Sequence, residues 1–562
     1  MTKKTRLGWL WDKLLKSSLW RIDWLPLGVL MMLSAFCYTQ GLFDHSLNWD
    51  EANTLAMAKL AIPEMFYVSA IRDINLAGGS LIQHLWGLVF GTSNESIRFL
   101  SALAGILAIA GAYAIAHVLT RSRSLAFLTG LMVMGSPLLA RFARLSTKHV
   151  FYCAEVFWSY ALFFRLLDGL NEPGCAWTKC FRMPSFWLYA LVSEIAVVTE
   201  PVGPVFLLGQ ALYGALVWKS LEKPARLVMC GLLLLLGISF LPQVWLFLQP
   251  WHAGHMKEMA DIHGLVQWQT LLFMPVNLLL WGRDRLSLPP LPILVVYGLS
   301  ALGLLVPSFY RLYRKDRRLL CIAFVIGVAP LMVAFLLAVL SGKALFQYRA
   351  LMFGMIGLML PVAWWVNSLK SDGWRLWWLP VCVVLLLQWV SWRQLAPTTF
   401  LGTDYAVMAA DIRSKFQPGD GIVLAPGYLH LGFYRYFEPS RFGLTDEERR
   451  ANPRRENIHH MVQGIDQDAF LVSGEDYLTA PAVIEAFKRF QAAHKRVWLL
   501  VAEEYLPYVE PHMACGTINM LQGPGGRFWQ VRCPFRHPAH CQRPLPVAAV
   551  SSGWTCPNRK TP

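Results

Sequence analysis

The sequence predicts a polytopic α-helical membrane protein with about eleven membrane-spanning helices, followed by a C-terminal water-soluble α/β domain. The 562 residues are 55% hydrophobic and only 15% charged, with a mean hydropathy of +0.41, whereas soluble proteins carry about 25% charged residues. Apolar runs close to the length that a bilayer requires recur along the first part of the chain. After residue 396 these runs end, and short apolar segments alternate with helical ones.

The apolar runs predict helices over 25–43, 97–119, 125–140, 150–167, 184–199, 202–218, 227–248, 289–309, 318–341, 349–368 and 374–392. The first run lacks a small-residue cleavage site, so it predicts a retained helix. Basic segments lie at the N-terminus and at 121–123, 179–182, 219–226, 311–318 and 370–375. A cytoplasmic N-terminus places all of them in the cytoplasm, as the positive-inside rule requires. The net charge of +16 is therefore explained by membrane orientation, and we expect no nucleic-acid partner.

Residues 1–396 are thus predicted to form the membrane domain, with two long outer loops at 44–96 and 250–288. Amphipathic stretches at 51–61, 80–90 and 265–281 are typical of helices that lie on a membrane surface. Residues 397–562 form the predicted extracytoplasmic domain, with strands at 421–425, 470–472 and 497–501 and helices at 406–416 and 480–493. One or two disulfides are expected among Cys515, Cys533, Cys541 and Cys556, with the pairing open.

Several cations lie in outer segments, where the positive-inside rule does not explain them. Headgroup contact is one interpretation, and the other is a pocket for an anionic group such as a lipid-linked phosphate, which Arg binds bidentately. The candidate phosphate ligands are Arg141, Arg144, Lys148, Arg283, Arg285, Lys343 and Arg349.

Carboxylates in the first outer loop are the candidate catalytic groups. Asp50 and Glu51 follow the first helix, and Asp73 lies further along the same loop. An adjacent Asp-Glu pair can act as a general base or bind a divalent metal. It can also cap the helix that begins near Ala52, where negative charge is favourable. No cofactor is established by the sequence, and a divalent metal at Asp50 and Glu51 is left open.

Glu155, Glu194 and Glu200 lie in or beside apolar spans, where carboxylates mark functional sites by default. Glu155 falls one turn into the predicted fourth helix, close to Lys148 and His149. An ion pair between Glu155 and these cations is the structural alternative to a role in chemistry.

The order of these features resembles the polyprenyl-phosphate-sugar-dependent membrane glycosyltransferases with the GT-C fold. Bacterial relatives of protein O-mannosyltransferase and of the lipid A aminoarabinose transferase are the most similar members. The resemblance covers residues 20–370. It rests on Asn-Trp-Asp-Glu-Ala at 48–52, Arg-Asp at 72–73, Ser-Ile-Arg-Phe-Leu-Ser at 96–101, Gly-Ser-Pro-Leu-Leu at 135–139, the basic turn 141–148 and Gln-Tyr-Arg at 347–349.

The resemblance implies an inverting transfer, in the bacterial inner membrane, of a sugar from undecaprenyl or dolichyl phosphate to a lipid, glycan or protein acceptor at the outer face. It implies that Asp50, with Glu51 beside it, is the base, that Asp73 is a second acidic candidate, and that Arg144 and Arg349 bind the lipid phosphate. Ile74-Asn75-Leu76-Ala77 stands where the family often has a His-Pro-Pro-like stretch. A secondary transporter and a non-catalytic lipid-phosphate-binding protein are the alternatives.

Overall fold

The protein is described by a computed structural model. Its described residues are 24–43, 46–71, 77–172, 177–247, 268–282, 291–341, 346–399, 405–425, 429–437, 470–472, 485, 489–490, 494, 496–501, 517–523 and 526–532. The chain divides into two compact units. Unit 1 comprises Met1–Ser46 and Thr54–Phe400, and unit 2 comprises Leu47–Asn53 and Leu401–Pro562.

The helices up to the basic turn are α1 (Trp24–Thr39), α2 (Trp49–Ala58), α3 (Ile62–Ile71), α4 (Ala77–Phe90), α5 (Asn94–Thr120), α6 (Arg123–Gly135) and α7 (Pro137–Phe142). After it come α8 (Lys148–Leu170), α9 (Pro184–Thr199), α10 (Val205–Val217), α11 (Lys223–Ser239), α12 (Leu241–Phe247) and α13 (Trp268–Val276). The later ones are α14 (Leu291–Lys315), α15 (Arg317–Ala323), α16 (Ala329–Ser341), α17 (Ile356–Ser371) and α18 (Leu379–Thr399). Each of the eleven predicted apolar ranges therefore contains a helix.

The described residues include five helices that are long and apolar enough to cross a membrane, by length and composition alone. They are Asn94–Thr120, Lys148–Leu170, Leu291–Lys315, Arg317–Ser341 and Met352–Ser371. Arg317–Ser341 consists of α15, a π-helical segment at Phe324–Val328 and α16. The predicted number of about eleven spans, and their orientation, stay predictions.

One predicted helix is broken in the structure. The range 125–140 contains α6 and α7, which meet at Ser136. The Ser136 hydroxyl accepts a hydrogen bond from the Leu139 N–H, and Pro137 begins α7, a position where its missing N–H costs nothing. The Ser136-Pro137 pair therefore ends α6 and starts α7 within a single apolar stretch of sequence.

The core of unit 1 is formed by α5, which packs along α1, α6 and α8. Small residues allow this close packing. A Cβ atom at Gly111 would lie 2.8 Å from the Phe157 Cβ of α8, and one at Gly105 would lie 2.6 Å from the Ala143 Cβ. Small residues are common where helices contact each other in membranes, because helix association there depends on van der Waals packing.

The described part of unit 2 contains a parallel three-stranded sheet and a hairpin. Strands β1 (Asp420–Ala425), β2 (Phe470–Val472) and β3 (Arg496–Val501) have the order β2-β1-β3. Strands β4 (Thr517–Gly523) and β5 (Gly526–Arg532) pair antiparallel. Helices α19 (Tyr405–Lys415) and α20 (Leu429–Phe437) flank β1 in the chain. The three predicted strands are present, whereas the predicted α/β domain over 397–562 and its boundary stay predictions, as do the disulfides, whose cysteines lie outside the described residues.

Candidate active site

Asp50 and Glu51 lie in the first turn of α2, and they differ in their surroundings. The Asn48 side-chain oxygen accepts a hydrogen bond from the Glu51 N–H at 2.9 Å, and the Glu51 carboxylate accepts one from the Asn48 N–H at 2.9 Å. This reciprocal pair is a capping box. Glu51 is fully buried, whereas Asp50 is partly exposed. The capping interpretation therefore applies to Glu51, and Asp50 is the more accessible carboxylate.

The segment that carries these carboxylates is also bonded to the C-terminal part of unit 2. The Leu47 N–H donates to the Tyr436 hydroxyl of α20 at 2.8 Å. Leu47 precedes the Asn48 cap directly, so this bond fixes the backbone where α2 begins. A residue almost four hundred positions later thus helps to hold the Asp50 turn.

The basic turn between α7 and α8 is buried inside unit 1. Arg141, Arg144 and Lys148 have exposed fractions of 6%, 6% and 8%. The Arg144 guanidinium donates to the Gln40 carbonyl at 2.5 Å, and it lies over the Trp392 ring, 5.8 Å from the centroid. Protein atoms therefore enclose these three cations. Such burial does not fit the interpretation that the side chains extend to lipid headgroups.

Helix α4 supports the basic turn from the other side. The Gln83 amide donates to the Ser146 hydroxyl at 2.9 Å. Gly79 lies against Lys148, since a Cβ atom at Gly79 would be 2.5 Å from the Lys148 Cβ. Gly78 lies against the end of α9, since a Cβ atom at Gly78 would be 2.5 Å from the Val198 carbonyl oxygen. The two glycines therefore belong to a helix and permit its close approach to α8 and α9; they do not form a turn.

Glu200, which follows α9, lies at the centre of a cluster of cations. Its carboxylate accepts a hydrogen bond from the His149 Nδ1 and lies 3.5 Å from the Lys148 Nζ. Arg349 also acts electrostatically on Glu200. We call Lys148, His149, Glu200 and Arg349 the Glu200 cluster. It joins two of the predicted phosphate ligands, Lys148 and Arg349, across three separate stretches of the chain.

The charges of this cluster decide the ionisation of Glu200. Burial raises the pKa of the Glu200 carboxyl, but Lys148, His149 and Arg349 outweigh burial and hold the pKa at about 2, below the ordinary value of 4.5. Opposite charges within a few ångströms favour the charged form of a carboxyl group. Glu200 is therefore a carboxylate at neutral pH, although only 2% of its surface is exposed.

Of the two interpretations of Glu155, the ion pair with Lys148 and His149 is wrong. The partner of Lys148 and His149 is Glu200, 51 residues beyond His149 in the chain. One Glu155 carboxylate oxygen is buried without a hydrogen-bond partner among the described residues. Glu194 accepts a hydrogen bond from the Ser239 hydroxyl at 2.8 Å. A contact made between two distant helix ends leaves no signal in local sequence, which is why it was missed.

The far end of α8 has different surroundings. Arg121 pairs with Asp168 at 2.6 Å, and the two side chains are 62% and 55% exposed. Lys148 and Asp168 are separated by about 30 Å along the helix axis. One end of α8 thus carries an exposed ion pair, and the other end carries a buried cationic cluster.

Four candidate residues lie outside the residues that the structure describes: Asp73, Arg283, Arg285 and Lys343. Among the described residues, no group of three or more His, Cys, Asp and Glu side chains could hold a metal. A divalent metal at Asp50 and Glu51 stays an open prediction, as does the pairing of Asp50 with Arg144 and Arg349.

Comparisons with known proteins show the fold. The chain is similar to ArnT from Cupriavidus metallidurans bound to undecaprenyl phosphate, with 13% identity, a TM-score of 0.51, and coverage of 90% of this chain and 97% of that chain. The apo state of the same protein gives 12% identity and a TM-score of 0.53 over the same shares. The Archaeoglobus fulgidus oligosaccharyltransferase in the apo form gives 12% identity and a TM-score of 0.50, covering 93% of this chain and 76% of that chain.

Models of protein families and functionally curated proteins give no match to this chain. The solved structures are GT-C enzymes. The expected GT-C fold of an integral membrane protein is therefore confirmed.

Proposed function

We propose that the protein transfers a sugar from a polyprenyl phosphate to the hydroxyl of an acceptor, with inversion at the anomeric carbon. The observation that carries this proposal is the buried basic turn with the Glu200 cluster at one end of α8. Buried Arg and Lys side chains that converge near one helix end are suited to bind an anion, and Arg can bind a phosphate bidentately. A lipid phosphate is the anion that we propose.

The site favours the departing phosphate over the bound donor. The donor is a phosphodiester with one negative charge, and cleavage of the sugar–oxygen bond leaves a phosphate monoester with a second one. Arg141, Arg144, Lys148 and Arg349 stabilise that added charge, because preorganised cations act strongly where water is excluded. The N-terminus of α8 adds a partial positive charge at the same place. The structure of ArnT with undecaprenyl phosphate supports a lipid phosphate as the ligand of this fold.

Asp50 is the proposed base. It removes the proton from the acceptor hydroxyl, whose oxygen attacks the anomeric carbon from the face opposite the lipid phosphate. Its partial exposure leaves it accessible to an acceptor, whereas Glu51 is committed to the Asn48 cap. Asp73 remains a second acidic candidate. Membrane lipid is a further partner, because it surrounds the helices.

Asp50 and Glu51 are the residues that would hold a divalent metal, which would polarise oxygen atoms of the substrate. No step is routed through a metal, and its involvement stays open.

A pair of variants tests this function. Asp50→Asn should lower sugar transfer by about 100-fold or more, the usual contribution of a general base. Glu51→Gln is the matched control, because Gln also serves in a capping box, and it should retain most activity. Transfer is measured as released polyprenyl phosphate, with donor binding measured separately.

The two alternatives give different results in the same experiment. A secondary transporter or a non-catalytic lipid-binding protein releases no lipid phosphate in either variant or in the wild type. Loss of transfer in Glu51→Gln with full activity in Asp50→Asn would exchange the roles of the two carboxylates and contradict the assignment of Asp50.

A further inference from the structure

The turn that carries Asp50 belongs to the same compact unit as α20. Unit 2 contains Leu47–Asn53 together with the chain from Leu401 onward. The Leu47 N–H donates to the Tyr436 hydroxyl at 2.8 Å, and the two residues are 389 positions apart in the sequence. Within unit 2, a side chain from the C-terminal part of the protein therefore holds the residue that precedes the Asn48 cap.

Burial makes the Leu47 N–H dependent on Tyr436. Leu47 has 0% of its surface exposed, so water cannot replace the hydroxyl oxygen as the acceptor. A buried N–H that has lost its acceptor is costly for the folded state. Without the Tyr436 oxygen, the backbone at Leu47 should therefore shift towards another acceptor.

Asp50 is coupled to such a shift through a short stretch of backbone. The Asn48 N–H donates to the Glu51 carboxylate, and the Asn48 side-chain oxygen accepts from the Glu51 N–H. Leu47 is bonded covalently to Asn48, and Asp50 lies between the two residues of this capping box. Movement of the Leu47 amide is thus passed to the backbone that carries Asp50.

Tyr436 is itself fixed at the C-terminal end of α20. The Arg413 guanidinium of α19 donates to the Tyr436 carbonyl at 2.8 Å and to the Phe437 carbonyl, and it lies over the Phe437 ring. Cations at a helix C-terminus interact favourably with the carbonyls that have no partner within the helix. The hydroxyl that holds Leu47 is therefore presented by a helix end that is held in turn.

We propose that Tyr436 is a positioning residue for sugar transfer, which holds the Leu47 amide and thereby sets the place of the base Asp50. The C-terminal part of the protein is then required for the chemical step. This inference rests on the proposed function, since it concerns the base of the same reaction. Tyr436 acts through the backbone and takes no proton from the acceptor.

Tyr436→Phe tests this inference, because it removes the accepting oxygen and keeps the ring. The transfer rate is measured in a single turnover, with a polyprenyl-phosphate sugar that the wild type accepts. The rate should fall about tenfold, since misplacing a reacting group by about 1 Å can cost up to about 100-fold. Affinity for undecaprenyl phosphate should not change, because the proposed phosphate ligands Arg144 and Lys148 belong to unit 1.

A double variant shows whether Tyr436 acts through Asp50. Residues that act as a unit have non-additive effects on the rate. In an Asp50→Asn background, Tyr436→Phe should therefore change the residual transfer rate by less than about twofold. A role of Tyr436 in general stability would instead lower the rate by the same factor in both backgrounds.

Hydrogen exchange measures the position of the turn without any sugar donor. Amide exchange of the segment 47–53 in detergent should be faster in Tyr436→Phe than in the wild type. Arg413→Met is a second variant, which loosens the end of α20 and keeps the Tyr436 hydroxyl; it should speed this exchange and lower the rate less. Tyr160→Phe is the control. It also loses one hydroxyl bond to the backbone, to the Phe206 carbonyl at 3.1 Å in unit 1, and it should alter neither quantity.

Three results would overturn the inference. One is unchanged exchange of the segment 47–53 in both Tyr436→Phe and Arg413→Met. Another is a wild-type transfer rate in Tyr436→Phe, and the third is an equal loss of rate with and without Asp50. Absence of transfer in the wild type would refute the proposed function instead, and the exchange measurement would still decide whether Tyr436 holds the turn.

Discussion

Glu200 shows how neighbouring charges determine what one residue does. It is almost completely buried, yet Lys148 and His149 contact its carboxylate from the first turn of α8. Two basic residues at a helix N-terminus oppose the helix macrodipole, so α8 begins unfavourably without a compensating anion. Glu200 provides that anion in the folded protein.

Stability should therefore depend on pH through Glu200. Its folded pKa of about 2 lies below the ordinary value of 4.5, which corresponds to ~3 kcal/mol of folding free energy. This contribution is complete above pH 4.5 and is lost as the pH falls towards 2. Thermal unfolding in detergent should show Glu200→Gln well below the wild type at pH 6 and close to it near pH 2.

Glu172→Gln is the matched control for this prediction. Glu172 pairs with Lys179 at 3.0 Å, but both side chains are at least half exposed, and exposed pairs contribute little. Its unfolding temperature should follow the wild type at every pH. A Glu200→Gln deficit that does not change between pH 6 and pH 2 would contradict the assigned pKa.

The sequence identifies Glu200 and Lys148 separately but does not pair them. Their residue types beside apolar runs indicate function, because charge is costly there. The pairing depends on the packing of α8 against α9, and no local pattern contains that information. Glu51 is different, because its partner Asn48 is only three residues away, and a cap was one of the interpretations that the local sequence allowed.

At the scale of elements, α4 determines the geometry of the site. Gly78 and Gly79 at its start bring its backbone against the end of α9 and the beginning of α8. Any side chain at either position must displace one of these elements. Gln83, one turn later, bonds to the basic turn at Ser146. Because Gly78 and Gly79 have no side chain, α4 can lie this close to Lys148 and to the end of α9.

Gly79→Ala should consequently raise the KM for the lipid donor several-fold and lower the unfolding temperature, because the new Cβ atom would lie 2.5 Å from the Lys148 Cβ. Gly231→Ala is the control. Gly231 lies in α11 with open space around it, and Ala there favours the helix by up to about 1 kcal/mol. Equal effects of the two substitutions on KM would show that the contact with Lys148 is unimportant.

The elements themselves were largely predictable, since each apolar run contains a helix and the three described strands of the parallel sheet fall where short apolar segments occur. The sequence did not predict α3 or the division of 125–140 at Ser136. Apolar composition alone does not separate one long helix from two that meet at a capped proline. The hairpin β4-β5 was also not predicted.

At the scale of the whole molecule, the predicted topology has a direct test. In a variant lacking all eleven cysteines, Ser414→Cys places a thiol in α19 and Ser220→Cys places one in a basic segment after α10. Both positions are exposed within their own units. A membrane-impermeant maleimide applied to intact cells with a permeable outer membrane should label Cys only at position 414.

Labelling of both positions, or of position 220 alone, would contradict an outer C-terminal part and a cytoplasmic 219–226 segment. Breaking the inner membrane is the control, because it should make both positions reactive. The physical reason for the expected result is the retention of Lys and Arg on the cytoplasmic side.

Sugar transfer from a polyprenyl phosphate is the central claim, and mass spectrometry of the lipid product tests it most directly. Purified protein is incubated with a panel of polyprenyl-phosphate sugars and acceptor-containing envelope extract. At least one sugar should be transferred, with release of an equal amount of polyprenyl phosphate that Asp50→Asn does not produce. Intact donors throughout the panel, in protein shown to be folded and to bind them, would contradict the account.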